Sequence, residues 1–203
     1  MSLKLFANSN IMVIGSTNTG KTTMILRIVK EQLIEPMPSK IFYLYGAKQA
    51  FMDTWNKDNS NPKINFIEGL DLTVVDSHKG SKLLIIDDLM MEQSKTLSQH
   101  FIAGSHHKQT TTIYVTHSIF LNNENYRLIS NNCQYIVLMK NKRNYSQVAR
   151  LARQVLGSDH ERVLEAYKYT KAYQFVLLSF HPKVPDELLV IADLFEKCPS
   201  VFL

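Results

Sequence analysis

One stretch constrains this chain more than any other: Asn10-Ile11-Met12-Val13-Ile14-Gly15-Ser16-Thr17-Asn18-Thr19-Gly20-Lys21-Thr22-Thr23. An apolar run is followed by Gly-x-x-x-x-Gly-Lys-Thr and then by an amphipathic segment, the order of a strand, a phosphate-binding loop and a helix. Gly15 and Gly20 let the backbone curl so that its N–H groups face an anion, and the start of the helix adds its positive dipole end. The binding set expected from this loop is Gly15, Ser16, Thr17, Asn18, Thr19, Gly20, Lys21, Thr22 and Thr23. Lys21 would reach the β- and γ-phosphates, and the Thr22 hydroxyl would hold Mg²⁺. Only 7 glycines occur in 203 residues, so two at this spacing are a rare coincidence. A Gly/Ser/Thr surface turn leaves the flanking strand and helix patterns unexplained.

The length suits one domain spanning residues 1–203, with a 45% hydrophobic composition sufficient for one good core. The formal charge is +5, and its surplus lies in the second half. Residues 1–100 carry eleven Lys/Arg against ten Asp/Glu, and residues 101–203 carry twelve against eight. That distribution suits a polyanion-binding face. The two cysteines, Cys133 and Cys198, form no metal pattern, and a reduced, intracellular compartment is the simple expectation. No apolar run reaches the length of a membrane span, and the amino terminus lacks the apolar stretch of a signal peptide.

Along the chain, Thr22–Leu33 has helical periodicity and Pro36 and Pro38 end it. Residues 40–45 read as a strand, 48–55 as a short helix and 64–67 as a further short strand. Signals between Gly69 and Ser81 are weak. Lys82-Leu83-Leu84-Ile85-Ile86-Asp87-Asp88 is a continuous apolar run ending in two acids, as in a central strand covered on both faces. Met90–Ile102 reads as a helix leading into a loop at Gly104-Ser105-His106-His107. Strands follow at 111–116 and 135–139, then helices at 147–156 and 158–171, the second with Ser158 as its cap. Residues 173–180 read as a strand with 188–191 as its partner. Strands alternating with helices behind a phosphate loop predict an α/β P-loop NTPase core with a mainly parallel central sheet, helices on both faces and C-terminal strand additions.

Asp87, at the end of its apolar strand, is the expected acid for binding Mg²⁺ through water, and Asp88 is the candidate to polarise the attacking water. His117, just past the neighbouring strand, is either a γ-phosphate sensor or an ordinary surface or packed histidine. Ser105-His106-His107 offers no third ligand at metal-site spacing. The acid-free run Lys140–Arg153 is either a solvated face or a contact for DNA or a neighbouring subunit, with Arg143 or Arg127 as a candidate arginine finger in trans. Guanine reading would need Asn-Lys-x-Asp late in the chain, and both Asn-Lys strings lack the acid. ATP is therefore the expected nucleotide. Two other classes share the loop: a small-molecule or nucleoside kinase, which needs an Arg-rich closing lid for which the run 140–153 is easily mistaken and a pocket for the acceptor, and a nucleotide-gated capsid assembly protein without turnover.

Taken together, the loop at Gly15–Thr23, Leu84-Ile85-Ile86-Asp87-Asp88-Leu89-Met90, Gly104–His107, Tyr114-Val115-Thr116-His117-Ser118, and Arg127-Leu128-Ile129-Ser130 with Asn141-Lys142-Arg143-Asn144 resemble the viral genome-packaging ATPases of the FtsK/HerA superfamily. These are the poxvirus-type enzymes also found in giant viruses, virophages and Polinton-like elements. The resemblance spans about Asn10 to Phe180 and implies a RecA/ASCE-like ATPase using ATP and Mg²⁺. It further implies a ring homo-oligomer of five or six subunits that threads double-stranded DNA into a capsid at a portal vertex. The setting it implies is virus assembly in the host nucleus or cytoplasm, with virion association. Lys21, Thr22, Asp87 and Asp88 match its nucleotide and catalytic positions. The chain departs from the family pattern at His117 and Ser118, where Gln and Asn are usual, and at Lys142 and Asn144, where Pro and Asp are usual.

Overall fold

The structure is a computed structural model and describes residues 4–89, 95–120, 124–192, 194–195 and 199–202. In chain order the strands are β1 (Leu5–Phe6), β2 (Asn10–Ile14), β3 (Ile34–Glu35), β4 (Lys40–Tyr45), β5 (Ile64–Glu68), β6 (Lys82–Asp87), β7 (Thr110–Thr116), β8 (Tyr135–Met139), β9 (Phe175–Ser179), β10 (Val190–Ala192) and β11 (Ser200–Val201). The helices are α1 (Lys21–Lys30), α2 (Met52–Trp55), α3 (Leu72–Ser77), α4 (Lys95–His107), α5 (Glu124–Asn131), α6 (Tyr145–Leu156) and α7 (Glu161–Tyr169).

Nine strands form one sheet in the order β11-β10-β9-β8-β2-β7-β6-β4-β5. From β8 through β5 every pairing is parallel, while β9, β10 and β11 are added antiparallel at the other edge. The strand that feeds the phosphate loop therefore lies between β8 and β7, one strand removed from β6 with its terminal Asp87. Alternation along each strand divides the core in two. Met12, Ile14, Leu84, Ile86 and Tyr114 face the layer of α3–α7, whereas Ile11, Val13, Leu83, Ile85 and Val115 face α1 and α2. Because both faces are covered, β6 is apolar without interruption from Leu83 to Ile86, the property that makes the 82–87 run conspicuous, while β7 buries Thr110, Thr111, Thr112 and Thr116. The parallel strands end on one edge, and their loops gather there.

Several expectations are corrected. The helix after the loop stops at Lys30, where Gln32 adopts a left-handed backbone (φ 52°), so Leu33 lies outside it. Asp71 caps α3 by accepting from the Thr73 and Val74 amides, in a stretch with no strong periodicity. α5 is likewise a helix that the sequence reading did not contain. Residues 104–107 belong to α4 and are not a loop. Glycine costs a helix interior only about 1 kcal/mol, and burial of Leu97, Ser98, His100 and Phe101 holds α4 against the sheet. Ser158 caps nothing: it lies in a 3₁₀ turn, Gly157–His160, and its hydroxyl bonds Asp159 Oδ1 at 3.1 Å. Residues 90–94 of the expected helix and Cys198 fall outside the described residues.

Candidate active site

The phosphate loop is closed by its own chemistry. Gly15 N donates to Thr116 O at 3.1 Å, tying the loop to the end of β7. The Thr19 hydroxyl donates to Ser16 O at 2.8 Å across the turn. A methyl group on Gly15 would lie 2.6 Å from Thr19 Oγ1 and 2.7 Å from Met139 Cβ, so no side chain fits there. Gly20, at φ 91°, turns the chain into α1 through the left-handed region, and Asn18 (φ 63°) shares that geometry.

Lys21 is only 8% exposed, and its ammonium is folded over the loop: Nζ donates to Gly15 O at 2.6 Å and Ser16 O at 2.9 Å. The same nitrogen lies 3.2 Å from His117 Nδ1. An ammonium has donors only, so Nδ1 accepts and the imidazole proton resides on Nε2. His117 Nε2 in turn lies 3.5 Å from Asp88 Oδ1. A Lys21–His117–Asp88 chain thus crosses from the P-loop to the end of β6. Burial pulls the Lys21 ammonium below its ordinary pKa, opposed by the charges of Asp87 and Asp88. Tyr126 supports the segment after His117 from α5, its hydroxyl 2.8 Å from Ser118 O and 3.0 Å from Ile119 O.

Asp87 is buried and held from β4. Its Oδ2 accepts from the Tyr43 hydroxyl at 2.6 Å and from Gln49 Nε2 at 3.1 Å. Thr22 neighbours the Tyr43 phenol, whose pKa is raised by burial and by the Asp87 charge. Tyr43 therefore bonds one of the two residues expected to serve Mg²⁺ and neighbours the other. That donor set, a hydroxyl and a carboxylate, is hard oxygen and fits Mg²⁺, which retains waters and takes further ligands from phosphate. Among the described residues no group of three or more His, Cys, Asp or Glu could hold a metal ion. The side chains of His106 and His107 lie outside them.

Asp88 occupies the left-handed region (φ 58°), where the chain leaves β6, and its side chain is 54% exposed. That exposure leaves Asp88 open to water, in contrast to the buried Asp87. Arg143 is exposed in the loop after β8, and Asn141, two residues earlier, donates from Nδ2 to Ser16 Oγ at 2.8 Å. Arg127 lies on α5: with Phe120, Arg150 and Gln154 it lines a groove of about 900 Å³ containing no P-loop residue. Sequence reasoning missed Tyr43, Gln49 and Asn141. For Tyr43 a signal existed, since a phenol in the middle of a buried strand requires a partner for its hydroxyl.

No family profile and no curated protein matches the chain. Solved structures do resemble it. The DNA-packaging ATPase B204 from Sulfolobus Turreted Icosahedral Virus superposes with a TM-score of 0.59 at 11% identity, covering 88% of this chain and 95% of that one. The genome packaging NTPase B204 from Sulfolobus turreted icosahedral virus 2, in complex with ATP-gammaS, gives 0.59 at 12% identity, covering 87% and 95%. The flagellar accessory protein FlaH from Methanocaldococcus jannaschii gives 0.51 at 13% identity, covering 98% and 91%. The fold is thus the RecA-like P-loop NTPase fold.

Proposed function

We propose that this protein is an ATP-hydrolysing motor that moves double-stranded DNA into a viral capsid. The observation that carries the reading is the Lys21–His117–Asp88 chain, which connects a phosphate-binding lysine to an accessible carboxylate through a histidine able to change partners. When the triphosphate binds, Lys21 exchanges the Gly15 and Ser16 carbonyls for β- and γ-phosphate oxygens, which releases His117 Nδ1. Asp88 orients a water in line with the γ-phosphate and accepts its proton as the bond to the β-γ bridging oxygen breaks. His117 then reports whether the γ-phosphate is present. Thr22 and Asp87, set by Tyr43, would hold Mg²⁺, which neutralises phosphate charge.

The packaging role rests on the fold shared with B204 packaging enzymes, the order of the motifs and the basic second half of the chain. An arginine from the adjacent subunit in a ring, Arg143 or Arg127, completes the charge compensation. The run that resembles a kinase lid is largely α6, packed through Val148, Leu151 and Ala152, which favours the motor over a kinase. The test is phosphate release by the purified chain with and without linear duplex DNA, with mass measured under the same conditions. DNA-stimulated turnover by an oligomer, lost by at least about a hundredfold in Lys21→Ala, is expected. Turnover indifferent to DNA would refute the motor, and binding without turnover under both conditions would favour an assembly role.

A further inference from the structure

The phosphate-loop chemistry accounts for one side of Gly20 and leaves the other side unused. On that side lies the turn Lys171–Gln174, which joins α7 to β9. Lys171 N donates to Gln174 Oε1 at 2.7 Å, and Gln174 N donates to Lys171 O at 3.1 Å. Lys140 N donates to Gln174 O at 2.9 Å, fastening the turn to the end of β8. The residue displayed by this turn is Tyr173. It sits at φ 65°, a left-handed conformation that glycine or asparagine adopts readily and a bulky aromatic rarely does. The residue is 73% exposed, the highest value among the exposed large hydrophobic residues described.

The turn thus holds an aromatic ring out in a costly backbone conformation, an available surface beside the phosphate loop. Its position indicates which ligand it suits. A methyl group on Gly20 would lie 3.4 Å from Tyr173 Cδ1 and 3.7 Å from Tyr173 Cβ, so the ring flanks the point where the loop enters α1. The acids and His117 occupy the β6 and β7 side of the loop, where the γ-phosphate must lie for Lys21 and Asp88 to act on it. A nucleotide so placed extends its sugar and base the opposite way, toward the loops of β8 and β9. Asn141 closes that side of the loop by its bond to Ser16, leaving the Tyr173 ring as its large exposed apolar surface.

We propose that Tyr173 is the nucleobase platform of this site, with the purine of a nucleoside triphosphate stacked on its ring. The inference rests on the nucleotide reading above. Stacking recognises a π-face and carries no edge information, so ATP and GTP gain affinity from it alike.

Equilibrium titration of the full chain with ATP, GTP and inorganic tripolyphosphate in the presence of Mg²⁺ tests it. Tyr173→Ala is expected to weaken ATP and GTP roughly 5- to 150-fold while leaving tripolyphosphate within about twofold, and Tyr173→Phe to retain nucleotide affinity. An unchanged ATP affinity in Tyr173→Ala overturns the platform, as does equal weakening of ATP and tripolyphosphate. Wild-type protein that binds tripolyphosphate as tightly as ATP overturns it also. Wild-type protein that binds none of the three removes the nucleotide reading itself, a result distinct from the others.

Discussion

The two flanks of the phosphate loop are built on opposite principles. On the β6 and β7 flank, Lys21, Tyr43 and Asp87 are buried and bonded to one another or to backbone, while Asp88 and His117 reach solvent. On the β8 and β9 flank, two loops carry Asn141 and Tyr173, and the most conspicuous group is an uncovered ring. Chemistry on a phosphoryl group needs fixed charges in a shielded place, because reorganising dipoles during reaction raises the barrier. Holding a base needs only an available surface. The difference separates kcat from affinity, and each prediction below tests that separation.

The largest effect is expected from Asp88→Asn, which keeps size and hydrogen bonding but removes the base: phosphate release should fall about 10²- to 10⁴-fold with nucleotide affinity nearly unchanged. His117→Ala should cost less, on the order of tenfold, and His117→Gln should recover much of it because an amide can both donate and accept. Single-turnover kinetics alongside equilibrium binding separates the two quantities. A loss confined to affinity in either variant would merge the flanks and undo the comparison.

Tyr43→Phe comes next. It removes one hydroxyl from a fully buried ring and leaves Asp87 Oδ2 with Gln49 alone among its described partners. Partners of metal ligands typically matter about 10- to 100-fold for metal affinity. The Mg²⁺ concentration needed for half-maximal binding of a non-hydrolysable ATP analogue should rise by that factor, with metal-free nucleotide binding little altered. An unchanged Mg²⁺ requirement would make Tyr43 a packing residue only.

The same contrast governs what could be read without coordinates. Lys21 and Thr22 lie in one contiguous motif, Asp87 and Asp88 end an uninterrupted apolar run, and His117 follows the β-branched run Thr111–Thr116, so local pattern exposes them. The β4 and β8 spans were legible for the same reason, as buried strands with clear borders. Asn141 and Tyr173 meet the loop across 125 positions for Asn141 and Ser16, and no periodicity records such a meeting. Tyr173 even imitates the start of β9, which begins at Phe175, because an aromatic beside an apolar run reads as strand; its left-handed backbone is invisible in sequence. α5 was missed because its register is polar on three sides and only Tyr126 and Ile129 are buried.

Asn141→Ala should give the smallest effect and the most discriminating one. Asn141 ties the loop after β8 in two directions, donating from Nδ2 to Ser16 Oγ at 2.8 Å and accepting at Oδ1 from Arg143 N at 2.9 Å. Its backbone N–H and carbonyl are both held by the Tyr167 hydroxyl, at 2.8 and 2.9 Å, so alanine leaves the loop anchored. What is lost is one side-chain bond to the phosphate loop and one turn closure, each worth about 0.5–1.5 kcal/mol. Nucleotide affinity should therefore fall roughly two- to tenfold, while the single-turnover rate at saturation stays near wild type. A rate loss as large as that of Asp88→Asn would mean that the β8 loop takes part in the chemistry through Arg143 or its neighbours, and the division between a reacting flank and a holding flank would have to be redrawn through Ser16.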